Sequence, residues 1–99
     1  MKRINLIKNG FKRCEERDFE DDGSYFKCYT YKGLPITYLN SCGEYYLCLR
    51  LDYLGINYKN YKEDLAILDE FNGVAEIDIS KLIANCEYII KKYNIKVGA

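Results

Sequence analysis

The sequence predicts an α+β fold: an antiparallel meander sheet of three to four strands packed by a C-terminal amphipathic helix, with a short N-terminal helix and a second short helix near residues 61–71. Three patterns carry that expectation. In EYYLCLRLDYL, residues 44–54, Tyr45, Leu47, Leu49, Leu51 and Tyr53 are apolar at every odd step, and Tyr46, Cys48, Arg50, Asp52 and Leu54 alternate with them. Such period-two alternation belongs to a strand with one buried face and one partly wet face. Two strand-rich runs precede it, each followed by a glycine-bearing turn. Last, Ile79, Leu82, Ile83, Cys86, Ile89, Ile90 and Tyr93 recur at the i, i+3, i+4, i+7 spacing that gathers them on one side of a helix.

In chain order, Ile4, Ile7, Phe11 and Cys14 fall near helical spacing, and Asn9-Gly10 is a pair that ends a helix with a left-handed residue. A helix over residues 2–9 is expected, with Phe11 folding back on its last turn. Residues 11–19 are charged and read as an edge strand, where charge discourages pairing with other molecules. Residues 20–24 form a turn cluster and 25–31 a strand, with Lys32-Gly33 as a two-residue hairpin loop. Leu34 to Leu39 is the next strand, and Asn40-Ser41-Cys42-Gly43 a four-residue loop into the central strand.

Those loop lengths set a register: Tyr31 opposite Leu34, Tyr29 opposite Ile36, then Tyr38 opposite Tyr45, Ile36 opposite Leu47 and Leu34 opposite Leu49. The pairings place Tyr25, Tyr29, Tyr31, Leu34, Ile36, Tyr38 and the odd positions from Tyr45 to Tyr53 on one face, so turns and hydrophobic pattern agree. Lys27 falls on that face and is expected at its margin, its stem covering apolar surface. Pro35 lacks the N–H that would face the central strand, so a bulge or frayed pairing is expected there. The opposite face carries Phe26, Cys28, Thr30, Thr37, Leu39, Tyr46, Cys48, Arg50 and Asp52. It is too polar for a full second core and too apolar to stand bare, so a helix or a partner must cover part of it.

Beyond Gly55 the alternation fades. Asn60 with Glu63 resembles a capping box, Leu65, Leu68 and Phe71 recur along one side, and Asn72-Gly73 closes a helix over residues 61–71. Residues 74–78 read as an extended connector. Asp78 or Ser80 can cap the helix that begins at Ile79, and Lys91 and Lys92 suit its negative end. Its apolar stripe is expected to dock on the sheet, and residues 94–99 to fray. The whole chain, 1–99, reads as a single domain, with residues 96–99 as a loose tail.

Composition narrows the function classes. The 99 residues carry 15 Lys plus Arg against 15 Asp plus Glu, so no global field gathers nucleic acid or an anionic membrane. The acidic run with Glu15, Glu16 and Asp18 reads as solvated surface, or else as a docking edge for a basic partner. Five cysteines and no histidine leave no Cys/His zinc site, and no close-spaced cysteine pair occurs. The thiols read as free in a reducing cytosol, and with no spanning run and no signal-peptide core the expected location is cytoplasmic.

No catalytic residues, cofactor or metal are expected: the usual base is missing, Cys42 has no neighbour to activate it, and no phosphate-cradling glycine motif is present. Eleven tyrosines without tryptophan are the unusual feature. Tyrosine is stiff and amphipathic and suits contact surfaces, although the register places most sheet tyrosines in the core. The candidate partner-binding residues are Tyr46, Arg50 and Asp52 on the outer sheet face, Lys81, Tyr88 and Lys92 on the last helix, and Glu15, Glu16 and Asp18. The favoured reading is a small non-catalytic protein-binding module. Its Lys/Ile/Asn/Tyr-rich composition suits a phage or mobile-element accessory protein, an anti-CRISPR-like inhibitor of a host factor such as a defence nuclease. The alternative is a single-stranded nucleic-acid binder stacking bases on exposed aromatics. Homodimerisation through the half-apolar sheet face is a third reading. No membrane partner is expected.

Overall fold

The computed structural model describes residues 5–96, and its centre is the antiparallel sheet that the alternation predicts. The strands are β1 (Phe11–Arg13), β2 (Phe19–Asp21), β3 (Ser24–Tyr31), β4 (Leu34–Ser41) and β5 (Glu44–Leu49), in the order β1-β3-β4-β5 with β2 also pairing β3. Helix α1 is the single turn Tyr58–Tyr61, and α2 (Ile79–Tyr93) is the long C-terminal helix. Leu34, Ile36, Leu47 and Leu49 from the sheet join Leu82, Cys86 and Ile89 from α2 in one core. Leu51, Tyr61, Leu68 and Phe71 extend it. The face built on β5 is therefore the buried one, and α2 lies across it.

The expected register holds between β3 and β4, where Tyr31 opposes Leu34 and Tyr29 opposes Ile36. Between β4 and β5 it is displaced by two residues: Tyr38 opposes Leu47, Ile36 opposes Leu49 and Asn40 opposes Tyr45. The cause is the turn. Strand β4 runs two residues further than expected, to Ser41, while β5 begins at Glu44 as expected, leaving Cys42-Gly43 as a two-residue loop with both residues at positive φ. A displacement of two preserves the side-chain face, which is why the inside and outside assignments of β4 and β5 survive it.

The central strand is shorter than residues 44–54, and Pro35 explains where it stops. The alternation of the ladder makes Pro35 and Arg50 the next bonded pair after Thr37 and Cys48. Arg50 N–H donates to Pro35 O at 3.0 Å, but proline has no N–H to return, and Arg50 O instead accepts from Tyr53 N–H at 3.0 Å. The chain turns there into a 3₁₀ segment, Leu51–Leu54. Leu51 stays in the core, whereas Tyr53 leaves the inner face on which strand alternation had placed it.

The helical expectations are corrected in detail. Residues 2–4 of the expected N-terminal helix lie outside the described residues, and the remainder is one 3₁₀ turn, Ile7–Asn9, ended by Gly10 at φ 94°. The helix expected over 61–71 resolves into α1 and a 3₁₀ run, Asp64–Phe71, and the cap is Asn57, whose side chain accepts from Lys59 N–H at 2.9 Å. Asp78 is the residue that caps α2. Its far end is left-handed Asn94, after which Ile95 N–H returns to Ile90 O at 3.0 Å. The chain does not fray at Asn94: a Cβ on Gly33, at φ 87°, would meet Lys96 O at 2.5 Å, so the tail rests on the β3–β4 turn. The expected fraying of residues 97–99 lies outside the described residues.

The β5 edge of the sheet is closed. Along β5, Tyr45 N–H donates to Val74 O at 2.9 Å, Gly73 N–H to Tyr45 O at 2.8 Å and Leu47 N–H to Asn72 Oδ1 at 2.7 Å. The connector thus supplies a short substitute strand. On the other side the edge strand expected over 11–19 is real but broken, its middle replaced by a 3₁₀ excursion, Glu15–Arg17.

Candidate protein interface on the open sheet face

Asp18 organises the broken edge. Where β1 departs, Cys28 would lose its ladder partners; Cys14 N–H donates to Cys28 O at 2.9 Å and Asp18 Oδ1 accepts from Cys28 N–H at 2.7 Å. Arg13 reaches the same carboxylate with both terminal nitrogens, at 2.6 and 2.5 Å, and Tyr25 donates its hydroxyl to it at 2.8 Å. The Arg13 guanidinium, helped by the Cys28 amide and Tyr25, holds the Asp18 carboxyl well below the usual carboxylate range. With its side chain 5% exposed, Asp18 is a structural group rather than part of an acidic docking edge. Glu15 and Glu16 do stand exposed on the excursion.

The outer face is covered over one half only. After Pro35 ends β5, Arg50 takes a bidentate grip on Asp52, at 3.1 and 2.9 Å, and stacks over the Tyr53 ring at 4.4 Å and the Phe19 ring at 5.2 Å. Arg17 also lies over the Tyr53 ring, 5.3 Å from its centroid, and Tyr53 donates its hydroxyl to Arg17 O at 3.4 Å. Each such cation–π contact is worth about 0.5–1 kcal/mol where water reaches it. This strap and the excursion close over Cys28, Pro35 and Thr37, which are buried.

The other half stays open. Phe19 opposes Phe26 with rings stacked at 4.8 Å, and Leu39 opposes Tyr46. Because Lys27 and Tyr38 share the inner face, Phe26 and Leu39 point outward, and the four side chains form a row across the sheet. Cys48 is exposed beside it, and Tyr46, 37% exposed, donates its hydroxyl to Glu44 Oε2 at 2.8 Å.

Of the residues singled out in the sequence, Tyr46 belongs to this row, and Arg50 and Asp52 to its border. Asp52 also accepts from Tyr61 Oη at 3.0 Å. Lys81, Tyr88 and Lys92 form a separate stripe on α2, where Lys81 pairs with Glu70 at 2.8 Å and Lys92 with Asp64 at 2.9 Å. All three are exposed, and the Lys92 ammonium lies 6.0 Å from the Tyr88 ring centroid. Sequence reasoning missed Phe19, Arg17 and Tyr53. Phe19 lay in the segment of mixed charge, and Tyr53 was assigned inward by an alternation that Pro35 interrupts.

Burial pushes the Cys28 thiol up to about 12 and the Cys86 thiol up to about 12. Among the described residues no cluster of three metal-ligating side chains occurs, and no helix is long and apolar enough to cross a membrane. No family model, curated protein or solved structure matches the chain.

Proposed function

We propose that this chain is a non-catalytic protein-binding module that occupies its partner with the open half of the outer sheet face. One observation carries the reading: α2 covers the apolar core of the inner face and the connector closes the β5 edge, yet Phe26, Leu39 and Tyr46 continue from Phe19 as a partly exposed row across the outer face. Rigid aromatics on a preformed surface, bordered by an arginine, are the composition of an interface centre. The arginine that borders the row is already paired with Asp52, which favours a partner with a flat apolar patch over a polyanion. A module acting by occupation suits an inhibitor of a host factor, and the Lys/Ile/Asn/Tyr-rich composition suits a phage or mobile-element origin.

The single-strand nucleic-acid reading leans on Tyr46 and Arg50, and Asp52 neutralises that arginine. Fluorescence anisotropy with labelled single strands at low salt, where phosphate contacts are strongest, is expected to show no binding. For the protein reading, bead-bound wild type is compared with Leu39→Lys/Tyr46→Ala and with Lys81→Glu/Tyr88→Ala in an extract of the native host. Capture of a discrete partner is lost in the first variant and kept in the second. The reverse pattern would move the surface to α2.

A further inference from the structure

Two cysteines meet where β1 leaves the sheet, and they suit a chemistry that the binding reading does not use. We propose that Cys14 and Cys28 form an oxidation site, closing into a disulfide in the folded protein on reaction with a small-molecule disulfide such as oxidised glutathione. The register that sets Arg13 opposite Tyr29 continues by one residue to set Cys14 opposite Cys28, and Cys14 N–H donates to Cys28 O at 2.9 Å. Cys14 and Cys28 make one of the two bonds of an antiparallel bonded pair, in which the Cα atoms lie about 5.5 Å apart with both side chains on one face, and Asp18 takes the other bond. A disulfide spans Cα separations of about 4.4–6.8 Å, so the backbone is already placed to accept one. The Cys14 thiol donates to Glu16 Oε1 at 3.3 Å and the Cys28 thiol to Tyr29 O at 3.9 Å, and neither contact ties its sulfur away from the other strand.

The fold selects this pair among five free cysteines. Cys48 is aligned with Cys28 only through the intervening Thr37, so the two lie two strand spacings apart, about 9–10 Å. Cys42 sits at the β4–β5 turn, and Cys86 lies in α2 against the opposite face of the sheet. Cys14 is half-buried and Cys28 fully buried, which divides the labour. The Cys14 thiol loses its proton to solvent and its thiolate attacks one sulfur of the glutathione disulfide. The S–S bond breaks, and one glutathione leaves as thiolate. The Cys28 thiolate, its proton likewise lost, then attacks the Cys14 sulfur of the mixed disulfide and expels the second glutathione. Two protein thiols are oxidised and one glutathione disulfide is reduced to two thiols. The product ties the start of the Glu15–Arg17 excursion to β3, opposite the Arg13–Asp18 clasp at its other end. The site is independent of the partner surface proposed above.

The test uses the full chain in a Cys42→Ser/Cys48→Ser background, which removes the exposed thiols. The folded protein is incubated with oxidised glutathione, alkylated under denaturing conditions, digested with trypsin and analysed by mass spectrometry. The expected product links the peptides Cys14–Arg17 and Cys28–Lys32, and adding Cys14→Ser abolishes every internal disulfide. Recovery of both cysteines alkylated, or of glutathione retained on Cys14 beside an alkylated Cys28, would overturn the proposal. So would an internal disulfide in the Cys14→Ser chain.

Discussion

The two faces of the sheet are closed by different means. On the inner face Leu34, Ile36, Leu47 and Leu49 meet Leu82, Cys86 and Ile89 of α2, all nearly inaccessible. On the outer face a strap of stacked and paired polar groups covers one half and leaves the other uncovered. Apolar burial is non-directional and scales with area, whereas the strap depends on the alignment of Arg50 with Asp52, Tyr53 and Phe19. The inner face therefore supplies most of the stability, and the outer face can be rebuilt without losing the fold. The largest effect expected tests that contrast: Ile89→Ala should cost about 2–5 kcal/mol in urea denaturation, because a fully buried aliphatic leaves a cavity. Leu39→Ala, on the uncovered row, should cost less than about 1 kcal/mol. Equal losses would mean that the two faces do not differ as described.

An intermediate effect is expected at the broken edge, where both faces depend on one carboxylate. Asp18→Asn removes a charged acceptor from Arg13, Cys28 N–H and Tyr25, and should cost about 1–3 kcal/mol near neutral pH. The acid response fixes the sign. The folded carboxyl titrates below its unfolded value, so its contribution is fully present above about pH 4 and is lost as pH falls from there toward the folded value. Thermal melts between about pH 6 and pH 2 should show wild type and Asp18→Asn converging as the solution becomes more acid. A constant gap across that range would show that Asp18 acts through shape rather than charge.

The parts of this architecture that were legible in the sequence are those set by repeating patterns. Alternation in 44–49 and helical spacing from Ile79 each involve several residues that agree, so the core and its helix could be read directly. The 3₁₀ run was half visible: Leu65, Leu68 and Phe71 are spaced by three throughout, which is the 3₁₀ period rather than the α period, and the last two are buried. The missing donor on Pro35 was legible, but the strap was not, because its partners Arg17, Phe19 and Tyr53 are set by where the chain turns after the ladder ends. Asp18 was hidden for a similar reason. Within the run from Glu15 to Asp22 it has the composition of its neighbours, and only a gap in the β3 edge, produced by tertiary pairing, sets it apart. Contact surfaces made of exceptions to a pattern are harder to read than cores made of the pattern itself.

The smallest expected effect sharpens the comparison furthest. Leu39→Lys with Tyr46→Ala removes the β4–β5 half of the row; the structure loses one exposed hydroxyl contact to Glu44 and some half-exposed aliphatic area. Neither residue belongs to the buried core, and a lysine at position 39 can extend its ammonium into water above a strand that is still bonded on both sides. The double variant should therefore lie within about 1 kcal/mol of wild type in urea denaturation. A stability loss that small makes any loss of partner capture a property of the surface. If the double variant instead unfolds like Ile89→Ala, the row is a second core closed from within the chain, and the uncovered half of the sheet is not a surface for binding.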